Sequence, residues 1–76
     1  MKDLIKLIAQ AMVDDPEQVS VTEVEGSTTT IFELKVAKDD IGKILGKRGR
    51  NVAAIRIILG AASAKLKKRV LLEIIE

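Results

Sequence analysis

Apolar residues at Leu4, Ile5, Ile8, Ala9 and Met12 recur with the spacing of one helix face and predict a helix over residues 2–13. Asp15-Pro16 closes it, because the residue before a proline avoids the α region. Val19 and Val21 then alternate with Ser20 and Thr22, the period-two pattern of a strand reaching Glu25. After a turn at Gly26-Ser27, Thr30, Phe32, Leu34 and Val36 alternate with Ile31, Glu33 and Lys35 and predict a second strand, antiparallel to the first. Ile41, Ile44 and Leu45 give a short helix an apolar face, with Asp39 or Asp40 expected to cap its start and Gly46 to end it. A longer helix over residues 50–66 carries Val52, Ile55, Ile58, Leu59, Ala62 and Leu66 on one side. Val70 to Ile75 reads as a closing strand.

The order is α-β-β-α-α-β. Two helices between the second and third strands make a crossover, which permits a parallel pairing. The expected fold is α+β: a three-stranded mixed sheet with the helices packed on one face, in two layers. With 76 residues and no repeat or low-complexity stretch, residues 1–76 are expected to be a single domain.

Composition narrows the chemistry. The chain has no Cys and no His, which removes disulfides, thiol chemistry, the commonest metal ligand and the commonest general base. Neither a metal nor a cofactor is expected, and an enzyme is disfavoured. Phe32 is the one aromatic residue and is expected in the core, so a row of rings that stacks bases is ruled out. The carboxylate pairs Asp14-Asp15 and Asp39-Asp40 read as capping and turn residues, since sequential neighbours on a helix do not face each other. Met1 to Val13 mixes Lys2, Asp3 and Lys6 into its apolar pattern, unlike a secretion signal, and no apolar run is long enough to span a membrane. The default expectation is a soluble cytoplasmic protein.

The net charge of +2 conceals a pattern. Residues 1–37 carry three basic and seven acidic side chains, a net of −4; residues 38–69 carry ten basic and two acidic, a net of +8; Glu73 and Glu76 follow. A basic block between acidic ones is either a footprint for an anionic partner or a solvated surface.

Inside that block lies Ile41-Gly42-Lys43-Ile44-Leu45-Gly46-Lys47-Arg48-Gly49-Arg50-Asn51-Val52. Gly46 and Gly49 bracket two cations between two helices and let the loop turn sharply. The loop feeds a helix N-terminus, where free N–H groups and the dipole attract phosphate. Lys47, Arg48 and Arg50 add charge there, with Lys43 one turn earlier. Ile41, Ile44, Leu45, Val52 and Ile55 offer aliphatic surface beside it. Phosphates on the loop and bases over aliphatic side chains would suit single-stranded nucleic acid. The five apolar residues cannot all line a groove, because some must hold the helices to the sheet; Ile44 and Val52 could do either. A P-loop is excluded: Gly46-Lys47 is followed by Arg48 and preceded by a helix.

The stretch from Ile44 to Val52 resembles the I-G-x-x-G-x-x-I signature of KH domains, and the element order is that of the type II, bacterial, KH fold. Similarity continues through Ala11-Met12-Val13-Asp14-Asp15-Pro16-Glu17, Val24-Glu25-Gly26, Val36-Ala37 and Val70-Leu71-Leu72-Glu73-Ile74-Ile75, and across nearly the whole chain it is to the small stand-alone KH proteins of the KhpA family. Leu45 stands where many KH domains have isoleucine or valine. The resemblance implies a cytoplasmic RNA-binding protein of the RNA-chaperone or post-transcriptional regulator kind. It implies RNA contact through Gly46, Lys47, Arg48 and Gly49, and homodimers or heterodimers with a KH partner of the Jag (KhpB) type, linked to cell elongation and cell-wall growth.

Two further features carry alternatives. Ala53, Ala54, Ile57, Ala61 and Ala64 leave more apolar surface on the long helix than one core needs, either as helix-forming alanine or as a dimer face. Lys65, Lys67, Lys68 and Arg69 form either a solvated helix end or a second contact to an RNA backbone. Against RNA binding stands the alternative of a KH-fold dimerisation platform.

Overall fold

The computed structural model describes residues 1–75; residue 76 of the expected single domain lies outside them. Helix α1 runs Lys2–Met12, strand β1 Ser20–Glu25, strand β2 Thr29–Lys35, helix α2 Ile41–Leu45, helix α3 Arg50–Leu66 and strand β3 Arg69–Ile75. Single 3-10 turns at Pro16–Gln18, Lys38–Asp40 and Lys47–Gly49 join them. The expected α-β-β-α-α-β order holds.

The sheet is mixed, in the order β1-β2-β3. β1 pairs antiparallel with β2, setting Val21 opposite Leu34 and Val24 opposite Ile31. β2 pairs parallel with β3, setting Phe32 beside Leu72. The register matters because side chains alternate faces, so a one-residue slip would turn the buried row outward. Thr30, Phe32 and Leu34 on β2, continued by Val36, point to the helices and are buried. Ile5 and Ala9 of α1, Ile44 of α2, Val52, Ile55 and Leu59 of α3, and Leu72 of β3 close the core on them. Removing such side chains from water stabilises the fold by about 1.5–3 kcal/mol each.

Two expectations about faces are corrected. Leu4 is half-exposed on α1, and Ile58 and Leu66 are exposed on α3 although they share the helical period of the buried residues. Periodicity marks a face but not how far the sheet extends beneath it. Leu66 sits at the last turn of α3, where it joins Met1, Thr30, Phe32 and Val70 around a depression instead of filling the core.

The capping expectation is corrected too. No side chain caps the start of α2. Asp39 is exposed, and Asp40 is 3% exposed with its carboxylate turned elsewhere. Its oxygens accept the backbone N–H groups of Asp14 at 3.3 Å and Asp15 at 3.1 Å. The reason is energetic: a buried carboxylate needs donors, and the α1–β1 connection brings two otherwise idle amides to it.

Candidate nucleic-acid interface

The loop between α2 and α3 takes its shape from three left-handed residues. Gly46 has φ 74°, Arg48 φ 59° and Gly49 φ 74°. Gly46, with ψ 174°, lies in a region that only glycine enters readily. A Cβ there would also meet the Asn51 side chain at 2.6–2.8 Å. Gly49 has no neighbour near a Cβ position, so its requirement is one of conformation alone. Arg48 is the unusual member, a side-chain-bearing residue in the left-handed region next to a glycine in the same region.

Backbone hydrogen bonds tighten the turn. The Gly46 N–H donates to the Gly42 carbonyl at 2.9 Å, the Gly49 N–H to the Gly46 carbonyl at 3.1 Å, and the Arg50 N–H to the Lys47 carbonyl. Among the described residues, neither the Lys47 nor the Arg48 amide donates to a backbone carbonyl. The loop therefore presents free N–H groups, as backbone nests for anions do, at the start of a 17-residue helix. Lys47, Arg48 and Arg50 are exposed around it, and none enters an ion pair among the described residues.

Lys43 behaves differently. Its ammonium lies 3.0 Å from the Asp14 carboxylate and 3.6 Å from that of Asp40. The hydrogen bond to Asp14, then the attraction between their charges, holds the Lys43 ammonium above its ordinary pKa. Its charge is paired at the surface with carboxylates of its own chain, which separates it from the other cations of the candidate set.

The five aliphatic candidates also divide. Ile44, Val52 and Ile55 are buried and hold α2 and α3 to the sheet. Ile41 is half-buried and Leu45 is 39% exposed, so these two offer the surface beside the loop. Next to Ile41 opens a depression of about 700 Å³ lined by Gln18, Lys35, Val36, Ala37 and Lys38. Lys35 and Lys38 are not among the sequence-predicted site residues: Lys35 enters the pattern only as an outward-facing position of β2, and Lys38 lies in a turn. Asn51 was missed as well. Its Nδ2 donates to the Lys43 carbonyl at 2.8 Å.

A loop of this kind, between two helices that pack on a mixed sheet, coincides with a match to known proteins. Residues 2–74 match the family model described as "KhpA/KhpB, KH domain". The chain belongs to this KH-domain family. Among its relatives, a protein of Caldanaerobacter subterraneus named "RNA-binding protein KhpA" is 52% identical over 75 residues, which is 99% of this chain and 100% of the relative. Proteins of the same name from Clostridium acetobutylicum and Aquifex aeolicus are 51% and 46% identical, covering 99% and 100% of this chain and 100% and 96% of theirs. No solved structure matches. The KhpA/KhpB family is one of KH-domain proteins and not of enzymes. No helix among the described residues is long and apolar enough to cross a membrane.

Proposed function

We propose that this KH domain binds single-stranded RNA, with the Gly46–Gly49 loop as its phosphate clamp. The observation that carries this is the loop itself: free amides at Lys47 and Arg48, two exposed cation side chains, and a fixed left-handed turn at a helix N-terminus. Relatives that this chain matches over its whole length bear the name RNA-binding protein. The backbone of about four nucleotides would lie against the loop, a grip typical of KH domains. Leu45 and Ile41 would meet sugars and bases, and Arg50 would add charge. Ile44, Val52 and Ile55 support that surface from within the core.

Binding of this kind neutralises few phosphates. For two to four contacts, log K against log salt should fall with a slope of about −1.4 to −2.8. The deciding experiment replaces Lys47 and Arg48 together by Asp. The change keeps both glycines and turns attraction into repulsion. Loss of RNA binding by a folded double variant is expected; retention of parental affinity sinks the reading.

The domain further acts as a homodimer or as a heterodimer with a Jag (KhpB) type KH protein, in the cytoplasm, in RNA regulation tied to cell elongation and the cell wall. Exposed apolar surface supports self-association: Ile57 is 74% exposed on α3, with Ile58 and Leu66 on the same helix and Leu4 and Leu7 on α1. The alternative, a dimerisation platform that binds little RNA, rests on the same side chains. Ile57→Glu should lower the mass measured by light scattering without unfolding the domain, and an unchanged mass from a dimeric parent would remove Ile57 from the interface. Co-purification of nuclease-sensitive RNA separates the two roles.

A further inference from the structure

We infer that Asn51 is a positioning residue, which holds the Gly46–Gly49 loop in its phosphate-binding shape without touching the nucleic acid. This rests on the RNA-binding reading above. Three observations converge on the side chain. Asn51 stands in the first turn of α3 and reaches back to the last turn of α2, where its Nδ2 meets the Lys43 carbonyl at 2.8 Å. That carbonyl belongs to a five-residue helix, whose final C=O groups have no partner within the helix. The same side chain occupies the space where a Cβ on residue 46 would sit. Asn51 thus packs directly against the Gly46 backbone while bonding the turn before it.

Lys43 carries the brace further. Its carbonyl receives Asn51, and its ammonium reaches Asp14 and Asp40. Asp40 in turn fastens the backbone at Asp14 and Asp15. The short helix is thereby held at both ends by polar contacts, to α3 through Asn51 and to the α1–β1 connection through Asp40. The free amides of Lys47 and Arg48 sit between Gly46 and Gly49, so their direction depends on where Gly46 is pinned. A loop held in one shape loses less entropy on binding than a mobile one.

The test uses the full chain and a fluorescein-labelled pool of random single-stranded RNA oligonucleotides. For Asn51→Ala, the expected result is an affinity about tenfold weaker, the worth of roughly one hydrogen bond. The slope of log K against log salt should stay unchanged, because no phosphate contact is removed. Hydrogen exchange at the Gly46 and Gly49 amides, which donate to the Gly42 and Gly46 carbonyls, should accelerate. Asn51→Ser keeps a donor on a shorter arm and should show the same pattern to a smaller extent, which serves if the alanine variant does not fold. Unchanged affinity and exchange in a folded variant overturn the inference. So does a salt slope shallower by about 0.7, which would make Asn51 a phosphate contact. The Lys47→Asp, Arg48→Asp variant run alongside separates the two readings: if it keeps parental affinity, the RNA-binding loop itself is wrong; if it loses binding while Asn51→Ala does not, only the positioning role falls.

Discussion

The Asp40 carboxylate accepts the backbone N–H of Asp15 at 3.1 Å, a bond that joins the start of α2 to a turn 25 residues earlier in the chain. The other oxygen takes the Asp14 N–H, and Asp40 is buried as it does so. Asp40→Asn keeps the size but replaces one acceptor oxygen by an NH₂ group facing an N–H. An unsatisfied buried group costs about 1–3 kcal/mol. The urea midpoint should fall accordingly with an unchanged m-value, and an unshifted midpoint would show that the latch contributes nothing.

Lys43 and Lys47 lie four residues apart yet should answer differently to charge removal. Lys43 is paired with Asp14 and Asp40, while Lys47 has no acidic partner among the described residues. Lys47→Gln should make the RNA salt slope shallower by about 0.7, the value of one phosphate contact on a single strand. Lys43→Gln should leave the slope as it is. Equal slopes for the two variants would assign Lys43 to the RNA surface after all.

Gly46 and Gly49 should also separate. At Gly49 an alanine meets open space and bears only the left-handed penalty, about 1–2 kcal/mol. At Gly46 the backbone lies in the glycine-only region, a strain of about 1–3 kcal/mol, and the new methyl must displace Asn51 as well. Gly46→Ala should therefore lower the melting temperature more than Gly49→Ala. The reverse order would mean that the Asn51 contact yields without cost.

Much of this architecture was legible because the signals are local and repeated. Alternation at Thr30, Phe32, Leu34 and Val36 fixed both the strand and its buried face. Helix α3 could be bounded by the Gly46–Gly49 turn before it and the basic run after it. The loop could be found because two glycines bracket cations within four residues. What stayed hidden depends on long-range geometry. Nothing local in Asp39-Asp40 says that one carboxylate will bind amides at Asp14 and Asp15, so the pattern predicts only that one or the other caps α2. Nor does anything local to Asn51 say that α2 will fold back and bring the Lys43 carbonyl to it. Ile44 and Ile55 shared their pattern with groove residues, and only the depth of the sheet beneath them assigns them to the core.

The ion pair between Lys68 and Glu25 sets an acid dependence. Lys68 Nζ lies 2.9 Å from Glu25 Oε1 and ties the connection after α3 to the end of β1. The hydrogen bond from Lys68, followed by its charge, lowers the Glu25 pKa below the ordinary 4.5. A carboxylate whose folded pKa is depressed adds stability that is fully present above the ordinary value and disappears as pH falls through the lowered one. Glu25 is exposed to solvent, so the effect is small and screened by salt. The melting temperature of the parent should exceed that of Glu25→Gln at neutral pH and low salt. The gap should narrow as pH drops below 4.5, and it should shrink at neutral pH when salt is raised. A gap that persists in acid would place the Glu25 contribution in packing instead of charge.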